Sequence, residues 1–231
     1  MTPIAVSLEL VKQRLLCAEA SAMRAAGSVT LVAVSKTQPA SRIKDAWDAG
    51  QRHFGESYLQ EALAKQAELA GLDLIRHFIG PIQSNKTRLI AGHFDWVHGV
   101  DRLKIAERLN EQRPENLPPL NVCLQVNISG EASKSGVCLA ELPVLAECVS
   151  RLPRLKLRGL MAIPEPGGSL EMQRIPFKRL RLALEALHAP EMDTLSMGMS
   201  DDLEAAVMEG ATMVRIGSAI FGARPVTAQI A

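Results

Sequence analysis

The sequence is poor in aromatic residues and carries almost no net charge. Only five Phe, two Trp and one Tyr occur in 231 residues, too few to build a surface on which nucleic-acid bases stack. The formal net charge is +1 at pH 7, so no overall positive field attracts nucleic acid or an anionic membrane. We therefore expect no nucleic-acid partner and no membrane partner.

Patterns typical of metal sites, disulfides and export are also missing. The four cysteines form no CxxC pair and the five histidines no HExxH spacing, so we expect no metal site and reduced thiols. The first residues place no basic region before an apolar core, which argues against a signal peptide. No apolar run reaches the roughly 18 residues of a membrane span. These absences indicate a cytoplasmic protein.

Eight short apolar runs alternate with longer segments of helical periodicity. An amphipathic helix is predicted over 7–26, ahead of the first run. Strands are predicted over 29–35, 53–56, 76–80, 96–100, 120–128, 155–163, 194–198 and 213–221. Helices are predicted over 41–49, 58–70, 101–112, 139–152, 170–187 and 201–209. This order is typical of βαβ units with parallel strands.

The number and character of the strands favour a closed barrel. The runs are nearly continuously apolar, as in a parallel sheet covered by helices. The alternative, an open doubly wound sheet, is disfavoured because no GxGxxG turn follows the first strand. We predict an α/β fold in which residues 1–231 form a single domain, a (β/α)8 TIM-type barrel with an additional N-terminal helix.

Lys36 is the most informative single residue. It ends the first apolar run and is followed by Thr37 and a Gln-Pro pair that cannot continue a strand. Partial desolvation at the end of a strand can lower the pKa of a lysine and make its amine a nucleophile toward aldehydes. The alternative is a solvated charge at the end of a strand, because lysines are seldom buried.

In a barrel the carboxyl ends of all eight strands meet on one face. Residues from distant parts of the sequence should therefore gather around Lys36. The expected set comprises Glu56, Ser57, Gly80, Pro81, Asn127, Met161, residues 197–200 and residues 215–218.

The last two strands carry a candidate phosphate site. Barrels often bind phosphate in the loops after strands seven and eight, and Ser200, Gly217 and Ser218 lie there. An alternative for Ser200 is the N-cap of the following helix, with Asp201 and Glu204 in a capping box. On the residues alone, both interpretations remain open.

Arg215 is an unusual charge because it lies between two apolar residues of a predicted central strand. A buried arginine requires an acceptor or an anion, since its desolvation is costly. The candidates are a bound anionic ligand and a structural ion pair with a barrel carboxylate such as Glu56.

Several distinctive motifs are spread along the chain. The motifs are LVAVSKT at 31–37, HFGE at 53–56, HFIGPIQSNK at 77–86, VNI at 126–128, SKSG at 133–136, RGLM at 158–161, SMGMSDDLE at 196–204 and MVRIGSAIFG at 213–222. Together they resemble the family of pyridoxal phosphate homeostasis proteins, and the similarity runs over almost the whole chain. One departure is Ser57, where that family typically has asparagine after Phe-Gly-Glu.

The resemblance implies a barrel like the N-terminal domain of alanine racemase, usually monomeric, that binds pyridoxal 5'-phosphate (PLP). It implies that Lys36 forms the internal aldimine and that Arg215 faces the pyridine nitrogen. It assigns the phosphate cup to Ser200, Gly217 and Ser218. Asn127 and Met161, on the same face, complete the expected set of cofactor-binding residues, and a second attachment point at Lys134 stays open.

The implied function is reversible PLP binding that buffers or delivers the cofactor, with PLP-dependent apo-enzymes as transient partners and no turnover. A permanently charged Arg215 discourages protonation of the pyridine nitrogen and so weakens the ring as an electron sink. The chain ends ten residues after Phe221, so no second domain is expected. The only tyrosine, Tyr58, is expected to pack on the helix after the second strand. The alternatives are a PLP-dependent amino-acid racemase and a Schiff-base aldolase without cofactor.

Overall fold

The computed structural model describes residues 3–130 and 135–222. Eight parallel strands pair in sequence order, and β1 also pairs with β8, so the sheet closes into a barrel. The predicted (β/α)8 barrel is confirmed. The strands are β1 (Thr30–Val34), β2 (His53–Glu56), β3 (Ile75–Phe78), β4 (Trp96–Val100), β5 (Leu120–Gln125), β6 (Leu155–Met161), β7 (Thr194–Ser196) and β8 (Met213–Ile216).

Helices surround the barrel, and the predicted N-terminal helix precedes the first strand. In the described part of the chain none of them is both long enough and apolar enough to cross a membrane. The helices are α1 (Ile4–Ser21), α2 (Ala40–Asp48), α3 (Leu59–Glu68), α4 (Thr87–His93), α5 (Leu103–Gln112), α6 (Leu142–Ser150), α7 (Leu170–Ala186), α8 (Leu203–Met208) and α9 (Ser218–Phe221).

Each strand divides its side chains between two layers, because successive residues of a strand point to opposite faces. In β1, Leu31 and Ala33 pack in the large outer core between strands and helices. Val32 instead packs in a small cluster inside the barrel. The buried members of this inner cluster are Val32, Trp96, Cys123, Met161 and Met213.

One predicted boundary was wrong in a way that matters for the site, and one helix was missed. The predicted strand over 213–221 ends at Ile216, and the short helix α9 begins at Ser218. Gly217, between them, has φ −115° and ψ −76°, which leaves the extended conformation and turns the chain. The sequence prediction also missed α4, because its two turns bury only Thr87, Ile90 and Ala91 and show little periodicity.

The proposed capping box at the start of α8 was also wrong. The helix begins at Leu203, after Asp202. The Asp202 carboxylate accepts the N–H of Met199 (2.6 Å), so it closes the loop that precedes the helix. Glu204 forms a bidentate pair with Arg14 of α1, both N···O distances being 2.6 Å. Arg14 also donates to the backbone oxygen of Ser200 (2.7 Å), so α1 anchors the loop after β7.

Candidate functional site

A cavity of about 290 Å³ opens at the carboxyl ends of β1 and β8. This volume is near the lower end of the range of small-molecule sites. Five of the seven predicted cofactor-binding residues line it together: Lys36, Ser200, Arg215, Gly217 and Ser218. The expected convergence of these distant residues is therefore observed.

Two further predicted residues lie elsewhere. Met161 is only 1% exposed and packs in the inner cluster of the barrel, so it does not line this cavity. Asn127 lines a neighbouring cavity of about 350 Å³, which shares Ile79 and Ile163 with the first. Its side-chain oxygen accepts the N–H of Gly130 (3.0 Å). Direct contact of these two residues with a cofactor stays a prediction.

The backbone on either side of Lys36 is held in a defined turn. Ser35, before it, is fully buried, and Thr37, after it, has φ +65° in the left-handed region. A non-glycine residue there costs about 1–3 kcal/mol and persists only where its surroundings hold it. The N–H of Thr37 donates to the Glu61 carboxylate (2.6 Å), which stabilises this conformation from α3.

A buried ionic cluster holds Ser35 as well. The Ser35 hydroxyl donates to Glu56 (2.7 Å), and the Lys65 amine donates to the Ser35 carbonyl (2.8 Å) and to Glu56 (2.8 Å). Lys65 also pairs with Glu61. Desolvation raises the pKa of Glu56, although Lys65 and Ser35 act in the opposite direction. Side chains of β2 and α3 therefore clamp both flanks of Lys36.

Arg215 is a buried cation that donates to no carboxylate among the described residues, although the charge of Asp202 acts on it. It is 4% exposed, and it donates to the Ser196 hydroxyl (2.7 Å) and to the Ala162 carbonyl (2.9 Å). Burial lowers its pKa to about 10, so it remains charged at neutral pH. The alternative ion pair with Glu56 is wrong, because Glu56 pairs with Lys65. A charged guanidinium on a cavity wall suits an acceptor atom of a ligand.

The other end of the cavity is formed where β8 passes into α9. The first N–H groups of a helix have no intrahelical acceptor, so the start of α9 at Ser218 offers donors to an anion. A Cβ at Gly217 would lie 3.3 Å from the Val34 carbonyl oxygen, so glycine permits the close approach of β8 to β1. Ser200, half-buried, lines the same cavity.

Some lining residues were not predicted. Gln38, Phe221 and Gly222 also line the cavity. Their positions follow from the turns after β1 and β8, and the wrong prediction for the end of the eighth strand concealed the last two. Ser57 and Met199, which belong to the expected set, line the cavity as well.

Tyr58 was expected to pack on the following helix, and this was wrong. It is 52% exposed and lines an adjoining cavity of about 520 Å³ together with Lys36, Ser57 and Lys86. Its place near the cavity was predictable, since Tyr58 lies two residues after the end of β2 on the same face as Lys36, but its exposure was not.

Lys134, the open second attachment point, lies outside the described residues. Within 3–130 and 135–222, no group of three His, Cys, Asp or Glu side chains could hold a metal ion.

Comparison with known families gives one match over most of the chain. Residues 15–225 match the family model described as alanine racemase, N-terminal domain. A protein from Pseudomonas aeruginosa is 63% identical over 224 residues, which cover 97% of each chain. A protein from Escherichia coli K12 is 55% identical over 229 residues, covering 97% of this chain and 98% of the other. Both carry the name pyridoxal phosphate homeostasis protein.

Solved structures are also similar to this chain over most of its length. PipY of Synechococcus elongatus, determined without PLP, is 41% identical with a TM-score of 0.85 and covers 95% of this chain and 100% of its own. A structure of PipY with PLP bound is 39% identical, with a TM-score of 0.83 and the same coverage. Alanine racemase from Corynebacterium glutamicum, at 18% identity and a TM-score of 0.69, covers 98% of this chain and 62% of its own, and shows the shared fold alone.

Proposed function

The chain belongs to the family of pyridoxal phosphate homeostasis proteins, and from that premise we propose that it binds PLP reversibly in the Lys36 cavity. In this proposal the protein buffers or delivers the cofactor and performs no turnover of its own. The observation that carries the proposal is the convergence of Lys36, Arg215 and the Gly217–Ser218 turn on one cavity of about 290 Å³.

The described residues fit the chemical groups of PLP. An aldehyde requires an amine, a phosphate requires backbone N–H and hydroxyl donors, and a ring nitrogen requires a polar partner. Lys36 supplies the amine, Gly217, Ser218 and Ser200 supply the donors, and Arg215 supplies the polar partner. The charge of Arg215 adds support, because its hydrogen-bond acceptors among the described residues are a hydroxyl and a carbonyl, and Asp202 acts on it only through its field.

Each residue has a defined part in binding. PLP, when bound, supplies an aldehyde that condenses reversibly with a primary amine. Lys36 provides that amine from a turn held by Glu61 and the Glu56–Lys65 pair. Arg215 can only donate a hydrogen bond to the ring nitrogen, so it discourages protonation there.

The lining of the cavity supports a carrier over an enzyme. Among the described residues that line it there is no histidine, cysteine or tyrosine, and Asp201 is its only carboxylate. An enzyme that moves protons on an amino-acid substrate requires positioned acid and base groups.

The decisive experiment is an absorbance spectrum of the purified, PLP-loaded protein before and after borohydride, followed by peptide mapping. We expect a visible band that borohydride removes, with the reduced adduct on Lys36. The band should be absent in Lys36→Ala and retained in Lys86→Ala, a matched control from the adjoining cavity. A band that persists in Lys36→Ala, or an adduct on another lysine, would refute the assignment.

A second set of measurements tests the anion end of the cavity. Free phosphate should compete with PLP at Ser200, Gly217 and Ser218 and raise its apparent dissociation constant. A PLP affinity indifferent to phosphate would contradict this part of the site. A protein that is colourless with PLP would instead favour a Schiff-base aldolase without cofactor.

An amino-acid racemase is the second candidate, and the exposed Tyr58 beside Lys36 is the observation that favours it. Incubation with single L-amino acids and chiral analysis of the products separates the two functions. Turnover above about 1 s⁻¹, lost in Tyr58→Phe, would establish the racemase. We expect no turnover at that rate.

The proposal extends to the setting of the protein. We propose a monomer in the cytoplasm, with residues 1–231 as one domain and PLP-dependent apo-enzymes as transient partners. Size-exclusion chromatography with light scattering tests the monomer, and a dimer would contradict it.

A further inference from the structure

A continuous line of hydrogen bonds runs through the inside of the barrel from Arg215 to β2. Arg215 donates to the Ser196 hydroxyl (2.7 Å), and that oxygen lies 2.7 Å from Nδ1 of His98. Nε2 of His98 lies 2.9 Å from Nδ1 of His77, and Nε2 of His77 lies 3.0 Å from Nδ1 of His53. The line therefore joins the wall of the Lys36 cavity to a half-buried histidine at the start of β2.

The first member of this line fixes the direction of all the others. A guanidinium can only donate, so the Ser196 oxygen accepts from Arg215. With Nδ1 of His98 as acceptor, the Ser196 hydroxyl hydrogen has a partner. His98 then carries its hydrogen on Nε2 and donates to His77, which in turn donates from Nε2 to His53. If His98 instead donated from Nδ1 to Ser196, both observed partners of the Ser196 hydroxyl would be donors. The hydrogen of this fully buried hydroxyl would then have no acceptor.

The surroundings keep these histidines neutral, which the one-way line requires. Burial lowers the pKa of His98 to about 3, and the charge of Arg215 acts in the same direction. Burial and the two neighbouring histidines hold the pKa of His77 well below its ordinary value. The ring of Trp96 stacks on His77, with 5.6 Å between ring centroids, and limits its rotation.

We infer that Ser196, His98, His77 and His53 are positioning residues for Arg215, acting as a one-way hydrogen-bond line in which every histidine is the Nε2–H tautomer. The line fixes the Ser196 hydroxyl as an acceptor and so anchors one end of the guanidinium. The Ala162 carbonyl anchors the second nitrogen. This inference rests on the proposed function for its consequence, because it states what holds Arg215 toward the ring nitrogen of PLP.

The tautomers can be measured directly in the wild-type protein without cofactor. Long-range ¹⁵N–¹H spectra of the histidine rings at about pH 7 should show His98, His77 and His53 neutral with the hydrogen on Nε2. The exposed His93 and His188 serve as internal controls, because neither belongs to the line. A hydrogen on Nδ1 of His98 or His77, or a charged ring at either position, overturns the inference.

A pair of variants at His98 separates positioning from packing. Asparagine places an amide oxygen near the position of Nδ1 and keeps an acceptor for Ser196, whereas leucine fills the space without one. We expect His98→Leu to raise the PLP dissociation constant about tenfold and to shift the visible band. The reason is that the hydrogen bond from Arg215 to Ser196 is weakened when the Ser196 hydroxyl loses its acceptor. His98→Asn should stay within about twofold of wild type. Equal affinities and identical spectra in the two variants would overturn the inference.

The two experiments distinguish this inference from the function on which it rests. Failure of the wild-type protein to bind PLP overturns the proposed function, and the tautomers still test the line. Binding of PLP with the opposite tautomers overturns the line alone. Should His98→Leu fail to fold, the wild-type spectra decide.

Discussion

Replacement of Lys65 by methionine should destabilise the protein and loosen the turn that carries Lys36. The Lys65 side chain is buried in α3, where its amine contacts Glu56, Glu61 and the Ser35 carbonyl. Methionine keeps most of the volume and removes the charge. Glu56 is then left as a buried carboxylate whose remaining partner among the described residues is the Ser35 hydroxyl.

The expected loss follows from breaking a buried pair. Removal of one partner costs about 3–5 kcal/mol, because the other charge stays desolvated. For a chain of this size each kcal/mol shifts the melting temperature by about 2–4 °C, which gives a fall of roughly 6–20 °C. PLP affinity should also fall, because Ser35 loses a hydrogen bond next to Lys36.

The dependence on pH has a defined sign. Desolvation already raises the pKa of Glu56, and loss of Lys65 raises it further. A carboxyl whose folded-state pKa lies above its unfolded value destabilises the fold as pH rises through that interval. The deficit of Lys65→Met should therefore be largest at neutral pH and shrink on acidification.

Urea unfolding of each variant at several pH values measures this effect. The control is Lys44→Met, which breaks an exposed ion pair with Asp48 on α2 and should cost no more than about 0.5 kcal/mol. The double variant Lys65→Met/Glu56→Gln removes the stranded charge and should recover part of the loss. The reasoning fails if Lys65→Met costs no more than the control, or if the double variant is less stable than the single one.

Three further predictions concern other parts of the barrel. Gly198→Ala should cost about 2–5 kcal/mol in urea unfolding, because Gly198 has φ +92° and a Cβ there would lie 2.5 Å from a neighbouring side-chain carbon. The control is Gly27→Ala, where φ is +76° and an added Cβ would meet nothing within 4 Å, so that only backbone strain remains. An equal loss of unfolding free energy in the two variants would contradict the steric argument. Burial raises the pKa of Cys123 to about 12, so a thiol reagent should modify the exposed Cys17 in the native protein and reach Cys123 only on unfolding. The folded-state pKa of His98 is depressed to about 3. The free energy of unfolding should therefore fall by about 1.4 kcal/mol per pH unit on acidification from about pH 6.5 to about pH 3. His98→Asn should flatten the acid side of the stability profile by that amount, and an unchanged profile would show that His98 is charged in the fold.

Local patterns were sufficient for most of the barrel. The bounds of β2 and β4 were predicted to the residue. The positions of Lys36, Arg215, Gly217 and Ser218 around one cavity were also predictable. A parallel barrel brings the carboxyl ends of all its strands to one face, so the order of the strands places these residues together.

Local patterns failed where a segment was short or where a partner came from another strand. α4 and α9 carry too few buried residues for a helical period to be detected. The exposure of Tyr58 depends on the space between neighbouring strand ends, which no local pattern measures.

The sequence by itself determined the alternation of strands and helices, the placement of Lys36 and Arg215 on one face of the barrel, and the family. Only the tertiary structure decided that Glu56 pairs with Lys65 and that Ser196 meets His98, 98 residues away. The physical reason is that such pairs depend on the register of the closed sheet, which sets which inward side chains lie within hydrogen-bond distance.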